Sequence, residues 1–352
     1  CHLIGYPIAF KIGSYPFSQT GSVWTPPSPT KRRARRQCAT MAAAAKENSG
    51  GGGADFAGDM EVEAYRRLFP LPYYERHLLE SVRPDGRPLS SARDTSIALG
   101  AVSSADGSAL VKTGDTTMLA AIKLEVMSPF AESPDEGSLA IDFHMPPICS
   151  PLVRPGRPAE LAPVISKQLS DVISSCRLID LKELSLVSGK AAWMAYLDIY
   201  CLNADGSLFD AALLSAVAAI AHLHIPLVSL NDDGRVIAVP GENFKGKTTK
   251  EVVNKDKRKL RLINIPFSLT CLLHKKHILA DPTAEEESIM DAPVTVVLDS
   301  AGRLVSIYKS GGSVLAYTST LKDCLSLTRK RVRELQSILD DALNSMEVDE
   351  AE

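Results

Sequence analysis

The most constraining feature of this chain is a helix-length run with almost no polar side. Residues 211–223 form a nearly uncharged apolar stretch of 13, broken only by Ser215 and His222. A membrane span needs about 20 apolar residues, so this run is too short to be one. With Leu208, Phe209 and Asp210 in front of it, the segment 208–223 is expected to be a helix buried inside a folded protein, apolar nearly all round because no side of it meets water.

The remaining periodicities say what surrounds that helix. Short strands are expected at 95–99, 108–112 and 116–126, separated by the turns at Ala105-Asp106-Gly107 and Thr113-Gly114-Asp115. At 139–145, Leu139, Ile141, Phe143 and Met145 alternate on one face, the mark of a half-buried strand. Over 193–202 both alternating sets are mostly apolar, which places that strand in the middle of a sheet. Between these two, 159–176 carries apolar residues at 161, 164, 165, 169, 172, 173 and 176, the spacing of an amphipathic helix. Further strands are expected at 261–265, 268–273 and 277–280, and a hairpin at 293–299 and 303–308. A final helix is expected over 319–346. The result is an α+β protein, two βα units with mixed or antiparallel sheets and packed helices.

The ends are different in kind. Residues 1–60 read as a disordered leader and tail. A Pro/Ser/Thr-rich stretch and the basic run Lys31-Arg32-Arg33-Ala34-Arg35-Arg36 precede the first methionine, Met41. The run fits either a nuclear localisation signal or nucleic-acid arm, or a leader upstream of a start at Met41. Residues 61–91 read as a helical arm interrupted at Pro70 and Pro72. Domain one is expected over 92–230, a basic insertion over 231–260, domain two over 261–330, and a helix end with an acidic tail over 331–352. Net charge is −3, which excludes a histone-like polycation but permits a local basic groove. Seven cysteines without a CxxC pair offer no zinc framework and fit a reducing, intracellular compartment. No metal or other cofactor is expected.

One motif invites a nucleotide-binding reading. Gly241-Glu242-Asn243-Phe244-Lys245-Gly246-Lys247-Thr248 matches the P-loop pattern. A P-loop must run straight into a helix that packs on a sheet. The following Thr249 to Lys259 is too polar to supply a broad apolar face, so a P-loop NTPase is the weakest of three functional readings.

Three other segments together resemble the RNase PH family, over roughly residues 80–330. The first is Arg83-Pro84-Asp85-Gly86-Arg87 followed by Gly107-Ser108-Ala109-Leu110-Val111-Lys112-Thr113-Gly114 and Thr116-Thr117. The second is Arg157-Pro158-Ala159-Glu160, then Leu197-Asp198 and Asn203-Ala204-Asp205-Gly206. The third is Asp281-Pro282-Thr283-Ala284-Glu285-Glu286-Glu287 before the last hairpin. That third motif, the insertion and Lys309-Ser310-Gly311-Gly312 look most like ring subunits of the eukaryotic RNA exosome.

The resemblance implies a six-membered ring of RNase PH-like chains with single-stranded RNA threaded through it. Its implied partners are other ring subunits (a heterodimer with a subunit of the ribosomal RNA-processing protein 46 type), S1/KH cap subunits and hydrolytic exoribonuclease subunits. It also implies a place in the nucleus, nucleolus and cytoplasm, and a part in rRNA maturation and mRNA turnover. Active members hold phosphate with a Thr-Arg pair after the Ala-Asp motif. Here Leu208 and Phe209 stand at those positions, and such side chains cannot grip an inorganic dianion. The family's catalytic carboxylates fall on Asp281 and Glu287, and Asp281 also fits a plain Asp-Pro-Thr turn. The expectation is a catalytically silent subunit with no catalytic residues. The alternative is an active phosphate-dependent 3′ exoribonuclease. Arg154, Arg157 and Lys167 are the expected RNA contacts, carried over from the family's substrate side. The eight cations within 245–261 read as either a salt-sensitive RNA contact or a solvated loop.

Overall fold

The computed structural model describes residues 54–226, 228–230, 236–238, 258–290, 292–312 and 315–349. The chain divides into two units, residues 1–61 and Val62–Glu352, and the account below concerns the second. The P-loop-like octapeptide and most of the basic insertion lie outside the described residues.

The fold is two sheets with one helix between them. In the first sheet β1 (Thr95–Leu99), β2 (Gly107–Thr113), β3 (Thr116–Met127), β6 (Ala191–Asn203) and β4 (Ser138–His144) lie side by side in that order, with β5 (Ser185–Val187) also pairing β6. The central position expected for 193–202 is the one β6 takes. All pairs are antiparallel except β4 with β6, which is parallel. Helix α3 (Ala162–Cys176) separates those two strands in the chain, and a parallel pair needs such a crossover. The second sheet is antiparallel throughout, in the order β12 (His277–Ala280), β11 (Pro266–His274), β13 (Pro293–Asp299), β14 (Leu304–Lys309). Two short pairs complete the list: β7 (His224–Ile225) with β10 (Arg258–Lys259), and β8 (Val228–Leu230) with β9 (Val236–Ala238).

Helix α4 (Leu208–Ala221) is the apolar run singled out from the sequence. It packs on β2, β3 and β6 on one side and on β11 on the other. Every residue from Ala211 to Ile220 is buried, which is why the segment has no polar face. One continuous core therefore serves both sheets. The long helix α6 (Thr318–Asp349) packs on β1, β11, β12 and β13 and so also bridges the sheets.

Several expectations need correction. Helix α1 (Ala54–Leu68) begins inside the stretch set aside as tail. The arm breaks once, at Phe69, and α2 (Pro70–Leu79) carries Pro70 and Pro72 in its first turn, where a missing N–H costs nothing. Residues 261–265 are not a strand; Leu262 makes one isolated bridge to Ile179. In α3, Leu161 and Val164 are exposed, because the helix starts at Ala162 and only Ile165, Leu169, Val172, Ile173 and Cys176 face the core.

Candidate functional site

The Asp281–Glu287 run folds into a turn and a short helix, α5 (Ala284–Ile289). Thr283 caps it: its side chain accepts from Glu286 N–H, and the Glu286 carboxylate accepts from Thr283 N–H at 3.0 Å. This reciprocal cap explains the Thr-x-x-Glu spacing. Each remaining acid is engaged in turn. Glu285 accepts from Arg66 and from the Tyr74 hydroxyl at 2.8 Å. Glu286 is ion-paired with Arg83 at 3.2 Å, both fully buried. Glu287 accepts from Ser207 N–H at 2.8 Å.

Asp281 is the centre of the cluster. One carboxylate oxygen accepts from Arg93 N–H at 2.7 Å and from its Nε at 2.9 Å; the other accepts from its Nη2 at 2.8 Å. The same guanidinium reaches Asp205, at 3.1 Å, and the carbonyls of Gly206 and Pro282 at 3.4 Å. Burial pushes the Asp281 carboxyl up, but the Arg93 bonds outweigh it and hold the group below its ordinary range. Arg83 is likewise surrounded, by Glu286 and the carbonyls of Leu89, Ala280 and Asp281. Arg83 is closed off by burial, and the Arg93 guanidinium is taken up by Asp281, Asp205 and the carbonyls of Gly206 and Pro282.

Backbone geometry fixes this arrangement. Gly206 has φ +73°, and a Cβ there would lie 2.6 Å from the Thr283 carbonyl carbon and 2.8 Å from Ala284 N. Ser207 and Asp281 are non-glycine residues in the left-handed region, with φ of 48° and 51°. Each such conformation costs about 1–2 kcal/mol, and both occur where α4 meets the α5 turn.

Ser207 begins α4, and a helix N-terminus is ordinarily a place for an anion. In this chain its own carboxylate fills it. Ser207 N–H is spent on Glu287, and burial pushes Glu287 up to about 7. Asp210, in the first turn, accepts from Ser268 Oγ and Thr270 N–H, both at 2.6 Å, and burial pushes it up to about 6. Phe209 is buried, with its ring edge-on to Tyr308 at 6.0 Å between centroids. Leu208 also packs against the core. An open cleft beside the cluster is lined by Asp85, Asp94, Asp115 and Asp205 against Arg93 and Lys112, an acidic excess that repels phosphate.

The fold and this site point to one family. Residues 91–226 match the 3′ exoribonuclease family, domain 1, and residues 264–331 match its domain 2. The chain belongs to the RNase PH family. It is 33% identical over 268 residues to exosome complex component rrp43 of Schizosaccharomyces pombe, covering 76% of this chain and 94% of that one. Exosome complex component Rrp42 of Methanopyrus kandleri is 32% identical, over 72% of this chain and 89% of its own. Among solved structures, a chain of the Archaeoglobus fulgidus exosome with RNA bound to the active site is 27% identical with a TM-score of 0.65, over 79% of this chain and 98% of that chain. Rice Rrp46, 16% identical with a TM-score of 0.54 over 74% of this chain and the whole of that chain, shares the fold.

The expected RNA contacts lie elsewhere. Arg154 and Arg157 are exposed on the loop between β4 and α3, and Lys167 is exposed on α3 beside Pro163 and Val164. The Arg157 guanidinium is held by Glu160 at 2.8 Å. None of the three touches the Asp281 cluster. Sequence reasoning found Asp281 and Glu287 but missed Arg93, Ser207 and Asp210. No local pattern marks Arg93, whose partner Asp281 is 188 positions away. Among the described residues no three His, Cys, Asp or Glu side chains are grouped to hold a metal ion, and no helix is long and apolar enough to cross a membrane.

Proposed function

We propose that this chain is a non-catalytic ring subunit of an RNA exosome, supporting 3′-to-5′ processing and degradation of RNA, including rRNA maturation and mRNA turnover. Residues 92–230 and 261–330 are its two RNase PH-like domains, joined by the basic insertion. Its relatives are named exosome components, and it spans nearly the whole of them. The observation that carries the catalytic part of the reading is at the start of α4. Glu287 accepts from Ser207 N–H there, and Leu208 and Phe209, at the positions of the phosphate-holding Thr-Arg pair, pack against the core.

In this reading the chain pairs with another RNase PH-like subunit, of the Rrp46 type, inside a six-membered ring. S1/KH cap subunits and hydrolytic exoribonucleases join that ring, in nucleus, nucleolus and cytoplasm. RNA passes Arg154, Arg157 and Lys167 as sequence-independent phosphate contacts. Co-expression of this chain with RNase PH-like chains from the same source, followed by native mass spectrometry, tests the assembly. A six-membered ring containing this chain supports it. A stable monomer that ignores every such chain contradicts it.

A further inference from the structure

Helix α6 has two unlike sides. Cys324, Thr328, Val332, Leu335 and Leu339 are buried against the sheets. On the opposite side Lys322, Ser326, Arg329, Lys330, Arg333 and Ser337 are all exposed. Their spacing of three, four and seven residues puts them on one stripe. Four of the six are cations, and among the described residues none of the four has an ion-pair or hydrogen-bond partner. The acids nearby do not cancel them. Asp323 sits at the edge of the stripe, and Glu334 is held by Arg331 at 3.1 Å. The stripe turns acidic only at Asp340.

Several other cations at the surface are committed, although Arg154 and Lys167 are not. Arg66, Arg67, Arg157 and Lys275 are bonded to Glu285, Glu63, Glu160 and Glu75. The α6 stripe also sits on a fixed support. The Arg331 guanidinium donates to the Arg93 carbonyl at 3.1 Å and to Thr95 Oγ1 at 2.5 Å. That ties the helix to the start of β1, next to the acidic cleft.

We infer that this stripe holds the sugar–phosphate backbone of single-stranded RNA. The chemistry favours RNA over an acidic protein. A protein interface needs apolar or aromatic anchors at its centre, and this stripe has only cations and serines. A phosphate backbone needs only uncommitted cations along its path. With no aromatic side chain there is no base stacking, so binding is indifferent to sequence. The inference rests on the RNA-path reading and adds a second face to it, on a different element from Arg154, Arg157 and Lys167.

The test uses the full chain and a fluorescein-labelled oligouridylate, with anisotropy measured across a salt series. Two triple variants are compared: Arg329→Gln/Lys330→Gln/Arg333→Gln, and Arg154→Gln/Arg157→Gln/Lys167→Gln. Each phosphate contact to a single strand contributes about 0.7 to the slope of log affinity on log salt. The α6 variant is therefore expected to lose about 2 from that slope with an unchanged melting curve, since all three side chains are exposed. A wild-type slope in the α6 variant overturns the inference. If the second variant alone loses slope, the RNA-path reading stands and the α6 face falls. Polyglutamate of matched charge competing as well as oligouridylate would reassign the stripe to an acidic protein. Absence of any salt-dependent binding by the wild-type chain removes the inference and the RNA contacts together, while the ring reading is judged separately by its subunit stoichiometry.

Discussion

Arginine has two opposite roles in this molecule. Around Asp281, Arg83 and Arg93 are buried and bonded to carboxylates and carbonyls, with Arg83 Nε left without a partner. On the surface, Arg154, Lys322, Arg329, Lys330 and Arg333 are exposed with no side-chain partner among the described residues. A buried guanidinium whose donors are nearly all taken is a rivet; an exposed one with free donors is open to a ligand. Charge near a conserved-looking motif is therefore no guide to activity until its partners are known.

The comparison breaks most sharply at Arg93. Arg93→Met leaves buried Asp281 with Arg87, at 3.7 Å, as its only cation among the described residues, and unfolding by urea should show a loss of about 3–5 kcal/mol. Restoring part of that loss with Asp281→Asn in the same chain would show that the pair, and not packing alone, is responsible. A loss below about 1 kcal/mol would place Arg93 with the surface cations. Gly206→Ala comes next. Its φ of +73° and the approach of Thr283 and Ala284 predict a loss of about 2–3 kcal/mol, measured the same way.

A third test sharpens the comparison through pH. Glu287 titrates at about 7 in the folded chain against 4.5 ordinarily, and Asp210 at about 6 against 3.8. Raised folded values mean that folding favours the protonated carboxyls. Their stabilisation is complete below those ordinary values and is lost as pH rises through about 6 and about 7. Glu287→Gln keeps an oxygen for Ser207 N–H and removes one titration. Its stability should decline less from mildly acidic to mildly alkaline buffer, by on the order of 2 kcal/mol. Parallel declines in both proteins would contradict the buried environment of Glu287. The smallest effect is on the surface side. Arg154→Gln should change stability by less than about 0.5 kcal/mol while lowering the salt dependence of RNA binding.

How legible this was in the sequence depended on the range of the interaction. Helix α4 announced itself because burial on all sides leaves a composition no exposed helix has. β2, β3 and the β13–β14 hairpin were readable because alternation and turn residues are local. The parallel pairing of β4 was not, since it depends on where α3 carries the chain. Residues 261–265 alternate like a strand yet find only one bridge at Leu262. The Leu208-Phe209 pair was legible as chemistry, but what surrounds it was not. Glu287 capping Ser207, 80 positions away, leaves no trace in either segment alone.

The central claim is that no external phosphate is gripped beside Ser207, Leu208 and Phe209. Its most direct test is release of nucleoside diphosphates from a 3′-labelled oligoribonucleotide by the purified chain, measured as inorganic phosphate is raised. The account predicts no phosphate-dependent release, with Asp281→Asn indistinguishable from wild type. Saturable, phosphate-dependent release that disappears in Asp281→Asn would contradict it.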